Sequence, residues 1–211
     1  MPNIEFKIQW TKTENSNAIL RDTAAEIEII VDNKCVTKNV DLSFKVSNSV
    51  LISAYPLAYW FAFSWWRLSY ELLPGGLYPP SEDWALHHRL SAANWGYTSP
   101  NILFVSDGKF VRVCIETFHK EKQLLSKLSA PTNSIYIPIN EFQYHIGNFV
   151  EVVLRHLNAC NHFGTDLESI WESVKKDRSS SEAYGMRRME AKLGFDPSEC
   201  PLESIQKYPH C

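Results

Sequence analysis

One stretch, Tyr55-Pro-Leu-Ala-Tyr-Trp-Phe-Ala-Phe-Ser-Trp-Trp-Arg-Leu-Ser-Tyr70, holds eight aromatic residues in sixteen. Such a segment must be buried, or must bury something else. A membrane span needs about 20 predominantly apolar residues. The run from Leu51 to Leu73 carries Ser53, Pro56, Ser64, Arg67, Ser69 and Glu71. Tyr and Trp also favour the membrane interface over its centre. The expectation is therefore a core helix over 57–72, with no membrane. Pro56 suits its first turn, and Pro74-Gly75-Gly76 stops it. Arg67 and Glu71, four residues apart, are expected on its wetter face. At least two of Trp60, Trp65 and Trp66 are expected to pack on the strand face of Ile4, Phe6, Ile8 and Trp10.

The chain has 211 residues, 45% hydrophobic and 21% charged, which suits an ordinary globular fold. A formal net charge of −3 carries no global nucleic-acid signal. The cysteines number five, scattered and odd. No basic start followed by an apolar run opens the chain. A cytoplasmic location with free thiols is the expectation.

Alternation of Ile4, Phe6, Ile8 and Trp10 with Glu5, Lys7 and Gln9 predicts a half-buried strand. A second strand is expected over 24–31, with Glu26 and Glu28 on one face. A turn at Asp32-Asn33-Lys34 leads to a third over 35–40. Residues 11–18 read as a loop, and 49–53 as a short strand feeding the aromatic helix. Ser81 is placed to cap a helix running to about Ala93. Asp107-Gly108 between two β-rich runs predicts a type I′ hairpin over 101–116. A further strand is expected over 134–139.

From Glu141 the pattern turns helical. Phe142, Ile146, Phe149, Val150, Val153 and Leu157 share one helix face, with Gly164 as its stop. Thr165 or Asp166 caps the next helix, with Leu167, Ile170, Trp171 and Val174 inward. Further helices are expected over 182–193 and 201–208. The predicted fold class is α+β: a small antiparallel sheet packed on an aromatic-rich helix, followed by a helical C-terminal subdomain. The domains are an α+β unit, 1–140, and a helical subdomain, 141–211.

Complete catalytic motifs are missing from the sequence. There is no Gly-rich phosphate loop, dinucleotide fingerprint, nucleophile elbow or His-Glu-x-x-His. No cofactor and no bound metal are expected, and the balance leans against an enzyme. His156, Cys160 and His162 form the best metal-like spacing, with Cys200, His210 or Cys211 as a fourth ligand. The competing reading, which we favour, packs Cys160 in the helical core. His87 or His88 would serve a low-weight hydrolase as general base, oriented by Glu82 or Asp83, but no nucleophile is marked.

Lys175, Lys176, Arg178, Arg187, Arg188 and Lys192 fall within eighteen residues, a local net of +3. Two helices joined by a short linker at 165–193 suit a DNA-reading helix-turn-helix. The whole of 141–211 is nevertheless net −3. These six side chains are the candidate contacts for a protein partner, which is favoured, or for DNA.

Tyr55-Pro-Leu-Ala-Tyr-Trp with Trp65-Trp66-Arg-Leu, Trp84-x-x-x-His88, Gly96-Tyr97-x-x-Pro100 and Ser106-Asp107-Gly108 resemble the amino-terminal region of large bacterial ImmA/IrrE-type proteins. Thr165-x-Leu167-x-x-x-Trp171, Tyr184 and Glu190-Ala191-x-Leu193-Gly194-x-Asp196-Pro197 extend the resemblance. Those proteins carry a zinc-metallopeptidase domain further along, which this sequence lacks. The resemblance implies a sensor or adaptor half: a non-enzymatic protein-binding or regulatory module of a bacterial stress, mobile-element or phage-defence system. Its implied partner is a separately encoded peptidase or effector. A DNA-binding regulator is the alternative.

Overall fold

A computed structural model describes residues 3–37, 39–40, 46–47, 50–71, 87–90, 101–116 and 135–176. The protein is α+β, with antiparallel sheets and several helices.

The first sheet starts with β1 (Ile4–Trp10), which pairs along its whole length with β2 (Ala24–Val31). Asp32 and Asn33 both take positive φ, at 48° and 62°. That is the type I′ turn, and it returns the chain as β3 (Lys34–Cys35). The third strand is thus shorter than the sequence suggests. The backbone leaves the ladder early, and the Ile29 N–H donates to Thr37 Oγ1 (3.0 Å). A small hairpin follows, β4 (Asn39–Val40) with β5 (Val46–Ser47). β6 (Val50–Ser53) then pairs with the other half of β2, Ala24 to Ile27.

Helix α1 (Ala18–Asp22) begins where the expected loop 11–18 ends, in a stretch for which the sequence pattern predicts no element. Asn17 caps it, its Oδ1 accepting from the Leu20 N–H (3.1 Å). Thr23 ties α1 to the start of the aromatic helix. Its carbonyl accepts from the Ala54 N–H (2.7 Å), and its hydroxyl meets Ser53 Oγ (2.7 Å).

That helix, α2 (Ala54–Tyr70), starts three residues before the expected position and keeps Pro56 in its first turn, where the proline removes no helical hydrogen bond. Trp60 and Trp65 are buried, as expected, but the α2 ring seen against β1 is that of Phe61. Phe61 has no exposed surface, and its ring lies 5.6 Å from Phe6. Trp60 turns to Phe104 (6.0 Å) and Trp65 to Trp171 (5.0 Å). Arg67 and Glu71 form an ion pair (3.6 Å) but are largely covered, not on a wet face.

The second sheet runs in the order β10-β9-β8-β7. Its centre is the hairpin of β8 (Asn101–Ser106) and β9 (Phe110–Glu116). Positive φ occurs at Gly108 (86°) and not at Lys109. Type I′ needs positive φ at both central residues, so the hairpin forms but its turn is not type I′. Asp107 holds it by accepting from the Lys109 and Phe110 N–H groups at 2.8 and 2.6 Å. At one edge lies β7 (Arg89–Leu90), paired with Leu103 and Ile102. The expected helix to Ala93 is thus broken at Arg89, where the backbone joins the sheet. Residues 81–86 and 91–93 lie outside the described residues. At the other edge is β10 (Ile135–Pro138).

The chain passes directly into α3 (Ile139–Ala159), whose six expected core residues are all buried. Its stop is Asn161, not Gly164. Asn161 adopts φ 62°. Its N–H reaches the Asn158 carbonyl, and the His162 N–H reaches Leu157 O (3.0 and 2.9 Å). This pair of bonds is the Schellman motif, with Asn in place of the usual glycine. Thr165 caps α4 (Asp166–Lys176), accepting from the Glu168 N–H (3.3 Å).

A single apolar cluster extends from Ile4 to Val174 and includes both sheets, α2, α3 and α4. Phe61 is central to it, in ring contact with Phe6, Trp60, Phe104 and Phe149. Among the described residues no helix is long and apolar enough to cross a membrane.

Candidate functional site

Lys175 and Lys176 occupy the last turn of α4, where cations suit the helix dipole. Leu167, Trp171 and Val174 anchor this helix in the core and turn the lysines outward. Lys175 does not stand as an isolated cation. It pairs with Glu172 one turn back and with Glu151 of α3 (3.6 Å). The Glu172 hydrogen bond raises the Lys175 ammonium above its ordinary value. Glu151 also accepts from the Trp171 indole N–H (2.6 Å). The described part of the basic constellation is therefore a mixed-charge surface. Arg178, Arg187, Arg188 and Lys192 lie outside the described residues. So does the second helix of the helix-turn-helix reading.

His156, Cys160 and His162 do come together, around a residue that the sequence does not mark. Asp22, at the end of α1, offers its carbonyl to His156 Nε2 and its Oδ2 to His162 Nε2, both at 2.9 Å. Arg21 holds the other carboxylate oxygen (2.9 Å). These contacts, the Arg21 hydrogen bond first and that of His162 second, pull the Asp22 carboxyl down to about 2. Trp10 stacks on the His156 ring with centroids 3.6 Å apart. Cys160 Sγ lies 3.8 Å from His156 Nε2. An open cleft of about 590 Å³, lined in part by Trp10, Lys12, Asp22, His156 and Cys160, borders this group. His156 must carry its proton on Nε2 to serve the Asp22 carbonyl, so this nitrogen is a donor. Cys160 is half-buried at the helix end, not in the core. Among the described residues no group of three His, Cys, Asp or Glu side chains is arranged to hold a metal ion. Cys200, His210 and Cys211 lie outside them.

His87 and His88 are both buried. His87 Nδ1 meets Ser64 Oγ of α2 at 3.1 Å. A histidine beside a serine is a pairing that can activate a nucleophile, but this Ser64 has no exposed surface. His88 Nε2 serves the Arg67 carbonyl (3.1 Å), a structural tie between β7 and α2. The orienting acids of the hydrolase reading, Glu82 and Asp83, lie outside the described residues.

One side of α2 carries an aromatic ladder. Tyr55, Tyr59 and Phe63 follow at intervals of four, with ring centroids 6.3 and 6.1 Å apart. The two tyrosines are half-buried, while Phe63 is 51% exposed and rests against His87 (4.8 Å). Burial raises the Tyr55 phenol, with nearby Asp166 acting in the same direction. Four-residue spacing brings side chains onto one helix face, so this ladder is implicit in the sequence. What the sequence leaves hidden is which face stays wet, because α2 is apolar nearly all round.

No family model, curated protein or solved structure matches this chain.

Proposed function

We propose that the protein is a non-enzymatic protein-binding module that presents the outer face of α2 to its partner. The observation that carries this reading is Phe63, half exposed at the end of the half-buried Tyr55–Tyr59 ladder on a helix whose other residues are buried or half-buried. Rigid aromatic side chains with partial exposure are the residues that dominate protein interfaces. Two further features support a protein over a nucleic acid. Lys175 is matched by Glu151 and Glu172, and 141–211 is net negative. A polyanion gains little from such a surface. The resemblance to the amino-terminal region of ImmA/IrrE-type proteins supplies a setting for the proposal. In it the partner is a separately encoded peptidase or effector of a bacterial stress, mobile-element or phage-defence system.

The test compares wild type with Phe63→Ser in affinity capture, and with Lys175→Ala/Lys176→Ala in duplex gel shifts across a salt series. The expected outcome is a defined protein captured by wild type and lost with Phe63→Ser, with the thermal midpoint lowered by no more than a few degrees. No duplex should shift at physiological salt. Duplex binding that falls steeply with salt and disappears in the double lysine variant would overturn the proposal and install a DNA-binding regulator.

A further inference from the structure

Strand β1 lies at the edge of its sheet, paired only with β2 among the described residues. The Asp32 N–H donates to the Asn3 carbonyl, and the Thr11 N–H to the Ala24 carbonyl, each at 2.9 Å. Both are odd-numbered positions of β1 and its flanks, so the odd residues carry the bonds to β2. In an antiparallel ladder the hydrogen-bonding groups of alternate residues point to opposite sides. The N–H and C=O groups of Ile4, Phe6, Ile8 and Trp10 therefore point away from β2. β1 is seven residues long, contains no proline and pairs without a bulge. The usual protections of an edge strand are mostly missing.

The core-facing side chains of this edge are incompletely covered. Phe6, Ile8 and Trp10 are only partly buried. A space of about 150 Å³ remains between Ile4, Phe6 and Ile8 on β1 and His145, Phe149 and Val152 on α3.

We infer that β1 pairs antiparallel with β1 of a second copy of this chain, with Phe6 opposite Phe6. Three features of the strand select that occupant and that register. The outward backbone groups of Ile4, Phe6 and Ile8 meet those of the partner's Ile8, the partner's Phe6 and the partner's Ile4 as hydrogen-bonded pairs. Apolar side chains then lie opposite apolar ones on the α3 side. On the outer face Glu5 comes opposite the partner's Lys7, and Lys7 opposite the partner's Glu5. Opposite charges facing across a ladder stabilise it, and like charges destabilise it. Moving the register by one hydrogen-bonded step in either direction sets Lys7 against the partner's Lys7 or Glu5 against the partner's Glu5. Charge thus disfavours both nearest alternatives. The interface is isologous and closes as a two-fold dimer. It is independent of the α2 face.

Sedimentation of the full chain over a concentration series tests the inference. Wild type is expected to pass from monomer to dimer. Glu5→Lys, which sets like charges opposite in the dimer, raises the dissociation constant about tenfold. Glu5→Lys/Lys7→Glu restores the pairing, an outcome that mere damage to the fold would not give. Lys7 also faces Glu28 across the β1–β2 ladder, so circular dichroism checks that each variant folds. Hydrogen exchange supplies a reading that needs no variant. The Phe6 and Ile8 amides gain protection as concentration rises, while those of Glu5, Lys7 and Gln9 are protected throughout. A chain that stays monomeric at every concentration, with fast exchange at Phe6 and Ile8, would overturn the inference. So would a dimer that Glu5→Lys leaves unchanged.

Discussion

Asp22 shows how much one side chain can gather. It receives Arg21 and His162 on its carboxylate and His156 on its carbonyl, and so joins α1 to the end of α3. Its folded carboxyl titrates at about 2, below the ordinary carboxylate range. A depressed acid contributes stability that is present above its unfolded value and is lost as pH falls through the folded one. The Asp22 contribution should therefore be constant above about pH 4 and fade toward about pH 2. An NMR titration of the Asp22 carboxyl should show the low midpoint, and His162→Ala should move it up toward the ordinary range. An unchanged midpoint in that variant would remove His162 as a cause. Nothing in the sequence points to this residue. Asp22 lies between the expected loop 11–18 and the strand from Ala24, and its two histidine partners stand 134 and 140 positions away. The spacing of His156, Cys160 and His162 is legible in the sequence, but their partner is not.

Elements are legible where a period runs long enough. The β1 and β2 strands, the β8–β9 hairpin, α3 and α4 all follow from alternation or helical spacing. The failures have local physical causes. α1 is five residues long, too short for a helical period, and rests on its Asn17 cap. β7 is two residues long and exists because Arg89 and Leu90 add to the edge of β8. Tertiary pairing there overrides the helical pattern. The sequence points to glycine as the end of α3, whereas Asn161 closes it in the left-handed region. Asparagine tolerates that conformation and β-branched residues do not. Asn161→Val should thus cost about 1–2 kcal/mol in urea unfolding, and Asn161→Gly should cost almost nothing. Equal stability for wild type and both variants would show that the turn does not depend on this backbone geometry.

At the scale of the molecule, α2 has two faces with different tasks. Its inner face, through Phe61, meets both sheets and α3 at once. Its outer face ends at Phe63, half in solvent. The α+β class and the central role of this helix are legible in the strand patterns and the aromatic content. The assignment of faces is not, since a helix apolar nearly all round has no wet side to read. The proposed function depends on that assignment. Denaturant unfolding of Phe61→Ala and Phe63→Ala, two residues apart on one helix, tests it most directly. Phe61→Ala should lose about 3–5 kcal/mol, whereas Phe63→Ala should lose about 1 kcal/mol or less. If Phe63→Ala costs as much as Phe61→Ala, Phe63 belongs to the core and α2 has no face to offer a partner.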